Sequence, residues 1–160
     1  FTTAAVAALQ RRTAFFEPLA DMRIDQVGVF LAAAPSATAL IKLAVYEFDA
    51  ANPAQLNLLH EFAEITADTT TGAKMASANF TFLAGRLYVI VQHSNAALTY
   101  RAVAPYVAPS AVLPTIGATA PASLWFANSV PYSATAVATL NTSAMTPQTA
   151  NPTLILMRAA

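Results

Sequence analysis

Between Leu40 and His93 the chain spells four apolar runs of strand length, parted by turn chemistry. In the first, Ala39–Phe48, residues Ile41, Leu43 and Val45 alternate with Lys42, Ala44 and Tyr46, the period of two that a half-buried strand requires. Asp49–Gln55 is a loop around Asn52-Pro53. Leu56–Ile65 carries Leu58, Leu59, Phe62 and Ile65, which also trace one face of a helix; its length and its neighbours favour a strand. Thr66–Gly72 is a polar turn, and Lys74–Leu83 alternates again through Phe80 and Phe82. Ala84-Gly85 is a tight turn that calls for positive φ at Gly85. Arg86–His93 is apolar without a break from Leu87 to Val91, as a central strand would be.

A chain patterned this way is all-β. Ser94–Ala97 turns and Leu98–Ala104 returns, while Ala14–Leu19 and Met22–Leu31 supply two earlier strands. Within Met22–Leu31 the apolar parity switches near Asp25–Gln26, the mark of a bulge or of a strand buried on both faces. Strands this short and evenly spaced form an antiparallel β-sandwich. Residues 3–12 read differently. Thr3 suits an N-cap, Ala is abundant, and Arg11 and Arg12 suit the negative end of a helix dipole. The pattern predicts a short helix there, with 1–13 a connector ahead of one domain over 14–160.

Seven prolines between Pro105 and Pro152 would interrupt any long ladder. A meandering segment over 105–152 is expected, with short strands such as Ser123–Ala127, laid over the sandwich or between subunits. Trp125, Phe126, Tyr106 and Tyr132 argue against disorder, because disordered segments are poor in aromatics. Thr153–Arg158 reads as a last strand returning to the sheet.

Composition narrows the function. Charged residues make up 10% of the chain, against about 25% in an ordinary soluble domain. Eight basic and eight acidic residues cancel, and the basic ones are scattered, so nothing resembles a phosphate-binding stripe. So little self-repulsion fits a surface partly buried against copies of the chain or other subunits, the plainer alternative being a neutral, Ala-rich domain from a source of biased composition. There is no cysteine, hence no disulfide and no thiolate metal site. No apolar run approaches the roughly 20 residues that span a bilayer, so membrane insertion is not expected. The opening residues lack the basic-then-apolar order of a secretory signal, and residue 1, which is not Met, is expected to be a cut or processed end.

Catalytic patterns are hard to find. Neither a phosphate loop nor Gly-x-Ser-x-Gly occurs, and His60 and His93 lack metal-ligand spacing, so no enzyme activity, metal or cofactor is expected. Glu47 with Asp49, and Glu61 with Glu64, are carboxylate pairs of the sort glycosidases use, but solvated surface charges are the simpler reading. Binding is the better prospect. Sugars stack on exposed rings flanked by hydrogen-bonding side chains. Trp125, Tyr132, Tyr106 and Asn128 are the candidate glycan contacts, with Tyr100 and Asn95 behind them. The plainer alternative is that Trp125 and Phe126 anchor the Pro-rich segment.

Several pieces come in a telling order: Leu43-Ala44-Val45-Tyr46, Asp49 and Pro53, Leu58-Leu59-His60-Glu61, Asp68-Thr69-Thr70-Thr71-Gly72-Ala73-Lys74, and Leu83-Ala84-Gly85-Arg86-Leu87-Tyr88. Their spacing resembles that of the β-sandwich domains of bacteriophage tail-fibre and virion appendage proteins. Ile24–Val29 and the terminal apolar-Arg strand fit as well, so the resemblance covers most of 14–104 and the end. Asp49–Gln55 departs from it by lacking the Gly such loops often carry. The resemblance implies a jelly-roll-like fold, homo-oligomers that are often trimeric, other virion proteins as partners, and a place on a virus particle. It implies structure or adhesion, including contact with a bacterial surface glycan, rather than catalysis, and it carries no fixed ligand residues. The alternative is a carbohydrate-binding module of a secreted enzyme or adhesin.

Overall fold

Alternation and turn chemistry fold this chain into two antiparallel sheets packed face to face. The computed structural model describes residues 2–6, 8, 10–52, 54–102, 125–147 and 153–160. The strands are β1 (Thr2–Val6), β2 (Gln10–Phe16), β3 (Met22–Leu31), β4 (Ala39–Phe48), β5 (Gln55–Glu61), β6 (Ile65–Ala67) and β7 (Gly72–Phe82). Then come β8 (Tyr88–Ser94), β9 (Leu98–Ala102), β10 (Trp125–Ser129), β11 (Thr139–Asn141), β12 (Thr146–Pro147) and β13 (Ile155–Ala159). A 3-10 turn, Thr142–Ala144, is capped by the Asn141 side chain.

One sheet runs β1-β9-β3, with β7 on the far side of β3 and β13 along its near edge. The other runs β11-β5-β4-β8-β2-β10-β12, with β6 continuing the line of β5 along β4. Taking β5 and β6 as one interrupted strand, the chain changes sheet at every step from β1 to β9 except the β4–β5 hairpin. The resulting orders, β1-β9-β3-β7 and β2-β8-β4-β5, are those of a jelly roll, in which two Greek keys wrap around one core.

The core lies between the sheets. Ile24, Val27, Val29 and Leu31 of β3 face Ile41, Leu43 and Val45 of β4, and Phe82, Tyr88, Ile90 and Tyr100 fill the space between. The outer face of the β4 sheet is apolar too. Ala44, Tyr46, Leu56, Val89 and Val91 lie beneath Leu140 and Met145 of the returning segment. Burial on both faces explains why β8 has no exposed residue along its length.

Several sequence expectations are met. The parity switch in β3 is a register shift between Ile24 and Gln26. Gly85 has φ +69° and Gly72 φ +109°, so both supply backbone that side chains rarely adopt. The last strand returns to β3, as expected, and its Arg158 grips Asp25 with two hydrogen bonds at 2.7 and 2.8 Å.

Two expectations need correction. The described residues among 3–12 form strands and not a helix: Thr2–Val6 pairs with β9, and Gln10–Phe16 lies between β8 and β10. A helix this short has little stability of its own, whereas two strands there complete a ladder in each sheet. Residues 2–6 and 10–13 therefore belong to both sheets of the sandwich. Leu56–Ile65 is not one strand either. It bulges where Val45 pairs with His60 but Tyr46 pairs with Leu58, then breaks between β5 and β6. The bulge turns Phe62 into the core, and at the break the Phe62 amide bonds Leu43 O.

Candidate functional site

The register of β2, β8 and β4 lines up three nitrogen-bearing side chains. Arg11 lies opposite His93, and His93 lies opposite Lys42. Alternation puts all three on the outer face of the sheet, alongside Ala44, Tyr46 and Val91. Only eight Lys and Arg occur in the whole chain, so this row concentrates charge where a sheet would otherwise be apolar.

Carboxylates and carbonyls answer the row. Lys42 Nζ donates to Glu61 Oε1 at 2.7 Å and to Phe62 O at 3.2 Å. The second Glu61 oxygen accepts from the Ala136 amide at 2.9 Å. Tyr132 donates to Glu64 at 2.6 Å while its ring rests on the His93 ring, with centroids 5.2 Å apart. His93 Nε2 stands 3.3 Å from Val130 O, and Tyr46 donates to Val137 O at 2.8 Å. Four side chains thus tie residues 130–137 across the sheet like a strap. Beneath it lies a cavity of about 20 Å³ lined by Arg11, Lys42, Tyr46, His93, Thr135 and Ala136, with room for about one water.

Burial sets the protonation of this cluster. It lowers the Arg11 guanidinium, against the pull of Tyr46, and it pushes the Tyr46 phenol up to about 12, with Arg11 opposing and Glu61 assisting. It raises Tyr132 as well, helped by Glu64 accepting the hydroxyl proton. Burial would raise Glu61 too, but the Lys42 hydrogen bond, the Ala136 amide and the Lys42 charge outweigh it, so Glu61 stays below its usual range. Both phenols are therefore fixed as donors and Glu61 as an acceptor. What the arrangement does chemically is hold a surface segment in one place.

The sequence-derived candidates are dispersed. Tyr132 belongs to this cluster, half-buried, with its hydroxyl committed to Glu64. Trp125 and Asn128 lie on β10, beside Ala14 and Arg11 of β2; their side chains, and all of Tyr106, lie outside the described residues. Tyr100 is fully buried in the core, and Asn95 is exposed, its Oδ1 accepting from the Leu40 amide. Glu47 pairs with Arg86, while Asp49 caps its own loop by accepting from the Ala51 and Asn52 amides and from Asn57. His60 sits among Phe62 and Phe80, its pKa lowered by burial against the pull of Glu61. Among the described residues no group of three or more His, Asp or Glu is placed to hold a metal ion.

The row Arg11–His93–Lys42 went unnoticed as a unit in the sequence. One signal was present: Lys42 and His93 each interrupt an apolar strand at the parity that faces outward. Compared with known proteins, the chain matches no family model and no curated protein.

Proposed function

We propose that this chain is a non-enzymatic structural and adhesive subunit of a virus particle, a tail-fibre, spike or appendage jelly roll that associates with copies of itself and contacts the host surface. One observation carries the self-association. The two outer faces of the sandwich are treated differently. The β4 sheet is covered by the chain's own residues 130–147, whereas the outer face of the β3 sheet has no such cover among the described residues. That open face is built from Ala5, Thr99, Phe30, Gly28, Met75 and Leu156, which alternate with the buried core positions of their strands. Its charges are sparse and mostly occupied: Arg101 lies over the Phe30 ring, and Arg158 pairs with Asp25. A nearly neutral face that mixes small and apolar side chains is suited to a self-complementary or cyclic interface.

The jelly-roll order and the low charge support the same reading. Its test is the mass of the purified chain by sedimentation or light scattering, together with antibody labelling of virus particles under the electron microscope. A defined oligomer and labelled particle appendages are expected. A lasting monomer that labels no particle sinks the proposal.

A further inference from the structure

Strands at the end of a sheet carry outward N–H and C=O groups with no ladder partner, and folded chains blunt such edges with short strands, proline, charge or bulges. The end strands here are mostly short. β1 has five residues, β11 three, and β12 two, one of them Pro147. β7 differs. It is 11 residues long, pairs with β3 on one side, and among the described residues has no strand on the other. It holds no proline, and its one charge, Lys74, turns back onto Asp68 and Thr70 of the preceding loop. Its register with β3 is unbroken from Gly72 to Ser77 and shifts only beyond that point.

The side chains along this edge are also incompletely covered. Ala76, Ala78 and Phe80 of β7 pack against the core yet are only partly buried, whereas Val27 and Val29 of β3 and Leu43 and Val45 of β4 are sealed at 0% exposure. On the facing sheet Leu59 is partly buried too, and the His60 ring lies 5.1 Å from the Phe80 ring. A further strand along β7 would cover apolar surface and satisfy backbone groups at the same time.

We propose that this further strand is β7 of a second copy, antiparallel about a two-fold axis at Met75, so that two sandwiches share one continuous sheet. The inference rests on the self-association proposed above and assigns it a geometry. A strand that pairs with itself must tolerate its own side chains directly opposite. Centred on Met75, the pairing sets Met75 against Met75, Ala73 against Ser77, and Lys74 against Ala76, so no like charges meet. Centring on Lys74 would set two cations face to face, and centring on Ala76 would run into the register shift beyond Ser77. A charged strand from a different protein is a poorer fit, since the one charge on this edge is already paired. Ala73, Met75 and Ser77 lie opposite Phe30, Gly28 and Gln26, on the open outer face, so edge and face form one surface.

The chain has no cysteine, so single substitutions report without background. Met75→Cys, Ala73→Cys, Ser77→Cys and, away from the edge on the same face, Thr99→Cys are oxidised in air with a copper catalyst and run on a non-reducing gel. Residues directly opposite in an antiparallel pair have Cβ atoms about 4.5–5.5 Å apart, close enough for a disulfide, whereas a residue two positions from the axis meets its own copy about 14 Å away. The expected result is a doubled mass for Met75→Cys alone among the four, with the dimer recovered when Ala73→Cys and Ser77→Cys chains are mixed. An oligomer in which no β7 position links, or in which Thr99→Cys links as readily, overturns the edge pairing and leaves self-association standing. A β7-linked dimer whose antibody labels no virus particle upholds the pairing and removes the virion reading. A chain that stays monomeric and links nowhere overturns the pairing and the self-association together.

Discussion

Gly28 shows how closely two strands approach each other. A Cβ built there would stand 2.1 Å from Lys74 O and 2.5 Å from Met75 Sδ. Gly28→Ala should therefore force β3 and β7 apart and cost about 1–3 kcal/mol, measured as a lower urea midpoint; an unchanged midpoint would mean that the strands part freely. Glu61 makes a second case. Glu61→Gln leaves the nearly buried Lys42 with only Phe62 O and neutral oxygens for company, and should cost about 1–3 kcal/mol in the same assay. Acid acts on the same groups. His60, Glu61, Asp25, Asp49 and Asp68 all have folded pKa values below their ordinary ones, for Asp68 down to about 2, chiefly through hydrogen bonds from Lys74 and Thr70. Such groups bind fewer protons folded than unfolded. Their stabilisation is complete above the unfolded value and is lost as pH falls through the folded one. The urea midpoint should thus begin to drop below about pH 6.5 through His60, and drop further below about pH 4 through the carboxylates. A midpoint that rises on acidification contradicts this.

Among the elements, the strap over residues 130–137 depends on side chains rather than on ladder pairing. Its anchors are the Tyr46 hydroxyl, Glu61, Glu64 and His93, all outside the strap itself. Tyr46→Phe removes the bond to Val137 O and leaves the ring in place, so the global loss should be about 0.5–1.5 kcal/mol. Amide exchange near Val137 should accelerate more than exchange in β8, which is buried throughout. Equal acceleration in both would show that the strap and the sheet open as one unit. The break between β5 and β6 follows a similar logic. The bulge at Leu58–His60 turns Phe62 inward, and the lost pairing is offset by core burial and by the Phe62 amide bond to Leu43 O.

For the whole molecule, the jelly roll brings together strands distant in sequence: β1 meets β9, and β13 meets β3. Only one of its two outer faces is covered by described residues of its own chain, which leaves the face around Phe30 and Met75 to the proposed self-association. Met75→Glu places a charge there, leaves the backbone pairing of β3 and β7 as it is, and should lower the sedimenting mass while leaving the thermal midpoint of the separated chain nearly unchanged. A variant that sediments like its parent removes this face from the interface.

Much of this architecture was legible in the residues alone. Period-two alternation in β4, the parity switch in β3, and the glycine of the Leu83–Arg86 turn are local events, decided within a few residues by pleat geometry and by the backbone freedom of Gly. Residues 3–12 have a helical local propensity, while the ladder partners that make strands of the described ones lie far along the chain, at 88–93, 98–102 and 125–129. The same distance hid the sites. Arg11 and Arg12 are adjacent in sequence, yet the pleat sends one outward to His93 and Lys42 and the other inward to Gln92. Sequence by itself determined that the chain alternates, turns and forms sheets. Only the tertiary structure decided which strands pair and which polar groups meet, because register is set by the joint burial of two faces and not by any one strand.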